Sequence, residues 1–204
     1  ARMLDQQIPH GWKVIEVGCG TGQFVNFLGA VWGRSVVGAD MTSNSLKLGQ
    51  NFKSTNNIDN AAFIQMNLFK PAFKPGSFDF VICNGVLHHT GDPYRGFQAT
   101  SQLVKPGGYI MIGLYNTYGR FLTRVLGKLF KLTGNRGQGL DPRLKDPTIN
   151  PVVRETWFLD QYKNPHESTH SVDEVLNWFD ETGFRFINAI PKIVPAYQFN
   201  ESES

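Results

Sequence analysis

Cysteine is nearly absent. Cys19 and Cys83 are the only two in 204 residues, so no disulfide framework is expected, and each reads as a small buried residue at a predicted strand end. That usage fits a reducing, cytoplasmic setting. No apolar run approaches the roughly 20 residues that cross a bilayer, and no charged-then-apolar leader opens the sequence. Charge is sparse as well: charged residues are 18% of the chain and the net charge is only +3, which disfavours nucleic acid as a partner. No internal repeat and no low-complexity tract is visible. What remains, 41% hydrophobic over 204 residues, is enough for a single domain that buries about 70% of its unfolded surface. The chain opens on Ala1 rather than Met, shortly before its first core strand, and reads as part of a longer protein.

Glycine, by contrast, is concentrated where it matters. Residues 13–24 spell KVIEVGCGTGQF, a short apolar strand that runs into Gly18, Gly20 and Gly22 and then into a helix. Such a turn takes positive φ and lets a ligand approach bare backbone, while the first N–H groups of the helix point toward it. The spacing is not that of a dinucleotide fold. A G-x-G-x-x-G count from Gly18 meets Gln23 in the third slot, and from Gly20 it meets Val25. The residues stand instead as E-x-G-x-G-x-G, with Glu16 on the strand end.

Along the chain, strands are expected at residues 13–17, 35–40, 62–66, 78–83 and 109–114, alternating with helical segments. The first helix ends near Gly33, Thr42 or Ser43 caps the second, and Asp92 with Pro93 opens one that runs to Val104. The Lys105-Pro106-Gly107-Gly108 turn leads into the fifth strand. This alternation is the signature of a doubly wound, mostly parallel sheet with helices on both faces and ligands at the carboxyl ends of the strands. A helical insertion follows at residues 117–170. The core resumes with a helix at residues 172–182, where Ser171 and Glu174 have capping-box spacing, and a sixth strand at residues 184–190.

E-x-G-x-G-x-G together with SVVGAD, FDFVICNGVLHH and LVKPGGY resembles the motifs of class I S-adenosylmethionine (SAM) dependent methyltransferases of the small-molecule type. The resemblance implies a Rossmann-like, seven-stranded kind of sheet, SAM as cofactor and methyl transfer to a small-molecule or lipid-like acceptor. It implies cofactor contacts at Glu16, Gly18, Cys19, Gly20, Gly22, Asp40, Met41, Asn67, Leu68, Asn84 and Gly85. Asp40 can accept both ribose hydroxyls, or simply cap the next helix. Asn67 stands where the pattern has an aspartate that accepts from the adenine amino group. NGVL replaces the N-P-P-[YF] loop of enzymes that methylate exocyclic or amide nitrogens. Two rival functions share these features: a nicotinamide-dependent oxidoreductase, and a SAM binder without transferase activity.

SAM carries its own leaving group, so such an enzyme must chiefly align nucleophile, methyl and sulfur. A base is needed only for a protonated acceptor, and His88 or His89 is the candidate. The insertion, read as a lid, offers Tyr115 at its base and Tyr162, His166 and His170 within it as acceptor contacts. Residues 166–170 also spell H-E-x-x-H, but Pro165 and the polar Ser168 and Thr169 argue against the helix that zinc would need, so no metal is expected. Residues 119–132, GRFLTRVLGKLFKL, are amphipathic and basic. Three readings of them are open: peripheral membrane contact, a lid over an apolar substrate, or a helix packed on its own domain. The sequence does not fix an oligomeric state.

Overall fold

A computed structural model describes residues 8–31, 33–133, 141, 148–163 and 167–190, the side chains of residues 160, 161 and 163 excepted. Two compact units divide the chain, one ending at Ser171 and one beginning at Val172. The first holds a five-stranded sheet in the order β3-β2-β1-β4-β5, every pair parallel. Its strands are β1 Lys13–Val17, β2 Ser35–Asp40, β3 Ala61–Gln65, β4 Phe78–Asn84 and β5 Val104–Gly113. Between them run α1 Gln23–Gly29, α2 Ser43–Thr55 and α3 Pro93–Ser101. The chain steps outward from β1 to β3, then returns across β1 to lay down β4 and β5. Right-handed crossovers therefore put α1 and α2 on one face and α3 on the other, and the reversal between β1 and β4 opens a crevice at the strand ends.

The central strands are apolar because both faces are covered. Val25 and Leu28 of α1 and Leu46 of α2 close over Val14, Val36, Phe80 and Ile82. Ile15, Val17, Val81 and Cys83, equally buried, alternate onto the opposite face. The one charge inside β4, Asp79, is satisfied by the Lys13 N–H and the Lys105 ammonium.

Several boundaries differ from the sequence reading. α1 stops before Gly33 because the Val31 N–H reaches back only three residues, to the Leu28 carbonyl, and tightens the last turn. Thr42 precedes α2 without a side-chain cap bond. β5 begins at Val104 rather than after the glycine pair: Val104 pairs with Phe78 and Tyr109 with Phe80, and Gly107 at φ 76° absorbs the bulge.

After β5, α4 Phe121–Leu132 and α5 Pro151–Lys163 form the insertion, and Phe130, Phe158 and Tyr162 make a small aromatic core between them. The second unit contains α6, Val172–Glu181, which begins just after Ser171 as the capping spacing indicates. The sixth strand expected at residues 184–190 does not form. α6 closes with the Gly183 N–H donating to Asp180 and the Phe184 N–H to Phe179, so the chain leaving it is spent on ending the helix, and Phe186 and Ile187 stay exposed. Residues 193–199, expected to follow that strand, lie outside the described residues.

Candidate functional site

Four adjacent strand ends, those of β3, β2, β1 and β4, build the site. At the end of β1, Gly18, Gly20 and Gly22 all have positive φ, as the spacing requires. The two that decide the local shape are Gly18 and Gly20. A Cβ on Gly18 would run into the Val86 side chain, whereas one on Gly20 would meet open space. The turn is thus packed from behind and bare in front. α1 is only seven residues long, so its dipole adds little, and the ligand-facing chemistry falls to the turn and the neighbouring strands.

Asp40 ends β2 with both oxygens anchored. Oδ2 accepts from the Gly20 N–H at 2.8 Å and Oδ1 from the Thr42 N–H at 2.8 Å. A carboxylate offers about four lone-pair sites, so two remain for incoming hydroxyls and their direction is fixed. Met41 beside it is exposed. Glu16 is the reverse case: its Oε2 is buried with no partner, and burial pushes the carboxyl up to about 7, opposed by the Val25 N–H and helped by the nearby Asp40 charge. Cys19 is a buried thiol pushed up to about 12, first by burial and then by the charges of Glu16 and Asp40.

Past β3, the Asn67 Oδ1 accepts from the Phe69 N–H at 2.9 Å, a local turn that occupies part of the amide Asn67 would offer an adenine. Leu68 packs toward Gly96 of α3. At the end of β4 the Asn84 side chain lies over Gly113, and Gly85 has open space at its Cα with φ 75°.

The histidine pair follows in a single helical turn, Leu87–His89. His88 is 1% exposed, and neither ring nitrogen has a hydrogen-bond partner. Its ring lies 3.9 Å from that of Tyr115 and 4.2 Å from that of His89. Burial, then the charges of His89, Arg120 and His170, lower its pKa to about 4, against a weaker pull from the Gly113 backbone. The imidazole therefore stays neutral at ordinary pH.

The end of the insertion reaches this group. The Ser168 N–H donates to the His88 carbonyl at 2.9 Å, and the His170 N–H to the Tyr115 carbonyl at 2.9 Å. Ser168 Oγ sits 2.8 Å from His170 Nε2. Residues 167–169 form no helix and His170 forms a bridge with Asn116, so the helix an H-E-x-x-H metal site needs is absent over residues 167–170. His166 lies outside the described residues. Tyr162 is placed elsewhere in the insertion, where its hydroxyl donates to Asp141 at 2.7 Å inside the aromatic core.

Sequence reading passed over Val86, Ser168 and the role of Arg120. The Arg120 guanidinium lies 4.0 Å above the Tyr115 ring and is held by Glu167, with Nη2 2.6 Å from Oε2 and Nε 3.2 Å from Oε1. The Arg120 charge is thereby paired with Glu167. No local pattern signals a pair 47 positions apart.

Residues 15–112 match the family described as "Methyltransferase domain". A ubiquinone biosynthesis O-methyltransferase of Leptothrix cholodnii is 32% identical over 72% of this chain and 72% of its own length. The protein of the same description from Chromobacterium violaceum is 36% identical over 60% of this chain and 53% of its own. The chain spans about half the length of most of the curated relatives it matches. Among solved structures, PKMT2 from Rickettsia typhi in complex with AdoHcy superposes with a TM-score of 0.68 at 16% identity, over 84% of this chain and 39% of that one, a likeness of fold. Parallel sheet, glycine turn, family match and the Leptothrix relative agree: the chain belongs to the class I SAM-dependent methyltransferases.

Proposed function

We propose that the chain transfers the methyl group of SAM to a hydroxyl of a small, lipid-like or ring-bearing acceptor. The observation that carries this reading is that three neighbouring strand ends each offer a polar group with unspent hydrogen-bonding capacity. These are Glu16 near the end of β1, Asp40 at the end of β2 and His88 shortly after β4. The buried Glu16 Oε2 suits the ammonium of the methionine part, the two open positions on Asp40 suit ribose hydroxyls, and the bare face at Gly20 leaves room between them. Cys19, Gly18 and Gly22 shape that turn. Met41, Asn67 and Leu68 stand along the adenine side, and Asn84 and Gly85 along the sulfonium side. When bound, SAM supplies an electrophilic methyl and a neutral thioether leaving group.

The chain's own part is alignment and a proton sink. As the acceptor oxygen forms its bond to carbon and the carbon–sulfur pair returns to sulfur, the hydroxyl proton needs a base. His88 is the candidate on geometry, neutral and with neither ring nitrogen bonded, though burial holds it as a weak base that must gain strength when the acceptor pairs with it. His89 and Tyr115 hold that ring from two sides, and the Arg120–Glu167 pair clamps Tyr115. Support for a hydroxyl acceptor comes from the two relatives named for O-methylation in ubiquinone biosynthesis. We further assign residues 117–170, within one domain, as the acceptor lid, on the ground that Ser168 and His170 bond to the backbone at His88 and Tyr115. The two free, buried thiols suit a cytoplasmic setting.

Calorimetric titration with SAM, AdoHcy and NAD, followed by a crystal structure with AdoHcy, tests this. Binding of both adenosyl ligands and not NAD is expected, with the space beside the sulfur lined by His88, Tyr115 and residues 167–170. Binding of NAD alone would end the transferase reading, and a sulfur facing core residues only would end the lid.

A further inference from the structure

On the far side of the insertion, α4 carries a face that nothing in the methyl-transfer reading uses. At about 100° per residue, Phe121, Leu122, Val125, Leu129 and Leu132 fall within a single arc about 100° wide. All five are exposed, from 37% at Leu129 to 85% at Leu132. Phe130 points the other way and is fully buried, 5.8 Å from the Phe158 ring and 4.8 Å from the Tyr162 ring, so the helix is held with its apolar arc outward. Arg124, Lys128 and Lys131 occupy the next arc, along one border of the apolar face. None of the three pairs with an acidic group among the described residues. No Asp or Glu stands anywhere between Asp92 and Asp141, so α4 itself carries charge of one sign only.

We propose that α4 is a membrane-docking surface that lies in the plane of an anionic lipid bilayer, with its apolar arc in the headgroup–acyl boundary and Arg124, Lys128 and Lys131 on the lipid phosphates. Two observations favour a bilayer over a protein partner. The apolar arc and the basic border run side by side along the whole helix, as an interfacial helix requires. A second copy of this chain, packed face to face, would bring cationic borders together with no acidic residue on α4 to offset them. The inference stands apart from the methyl-transfer reading, since docking is measured without SAM.

The test is flotation with vesicles of phosphatidylcholine alone and with about a third phosphatidylglycerol, at low and high salt. Binding is expected to the anionic vesicles, weakening as salt rises. Each basic side chain near such a surface is worth about a fivefold change, so the combined Arg124→Gln, Lys128→Gln and Lys131→Gln variant should bind on the order of a hundredfold more weakly. Leu122→Gln with Leu129→Gln should release the protein while leaving its charge and its thermal melt unchanged. Equal binding to neutral and anionic vesicles, or binding untouched by both variants, would overturn the proposal. So would light scattering that shows a dimer in lipid-free solution which the leucine variant breaks.

Discussion

At the N-terminal edge of the sheet, Asp79 has committed both carboxylate oxygens, one to the Lys13 N–H at 2.9 Å and one to the Lys105 ammonium. At the C-terminal edge, Glu16 and His88 hold buried polar atoms with no partner. Both edges belong to the same strands, β1 and β4, so the contrast is not one of burial or of propensity. A buried polar group left unsatisfied costs about 1 to 3 kcal/mol, and proteins keep such groups chiefly where something else will satisfy them. The closed edge ties β1, β4 and β5 together. The open edge holds capacity in reserve for a ligand.

The largest effect should come from His88→Phe, which keeps the ring stack on Tyr115 but removes the base. Transfer to a hydroxyl acceptor should fall by about 10² to 10⁴-fold in kcat while the SAM dissociation constant stays put. Single-turnover assay beside calorimetry checks this, and an unchanged kcat would strip His88 of its role.

The next pair sets one edge against the other. Asp40→Ala removes an anchored acceptor of two hydroxyls and should weaken SAM binding by about 2 to 3 kcal/mol, or about 30 to 150-fold, with a modest loss of stability. Asp79→Ala should do the opposite, costing about 2 kcal/mol in urea unfolding with no change in SAM affinity, since half-exposed Lys105 adds little and the Lys13 N–H loses its partner. Equal effects of both changes on binding would erase the contrast.

The smallest effect is a pH dependence. Glu16 titrates higher in the folded state, about 7 against 4.5, so the stabilisation from its bound proton is complete below pH 4.5 and is lost as pH rises through 7. His88 titrates lower, about 4 against 6.5, so its stabilisation is present above pH 6.5 and is lost as pH falls through 4. The two slopes oppose each other between about pH 4.5 and 6.5. Melting Glu16→Gln across that range should leave stability rising more steeply with pH than in the parent. A ligand that places an ammonium on Glu16 should flatten the parent's own decline toward pH 7. Parallel curves for variant and parent would show that Glu16 is not buried as described.

By itself the sequence determined the strand-turn-helix at β1, the parallel alternation through β5 and the placing of Asp40 at a strand end. Each of these follows from local rules: periodicity over a few residues, the φ that only glycine tolerates, and the helix start at Asp92, whose side chain accepts from the Arg95 N–H. The tertiary structure decided the rest. The apolar alternation at residues 184–190 looked like a strand, yet the Phe184 N–H closes α6 instead. Tyr162 of the insertion reads as an acceptor contact, yet its hydroxyl turned to Asp141, while Arg120 is spent on Glu167 and Tyr115. Those outcomes depend on partners 21 and 47 positions away, and the neutrality of His88 depends first on its burial, which no local pattern announces. Local chemistry writes which groups a chain can offer; only packing decides which of them are used up internally and which are left for a ligand.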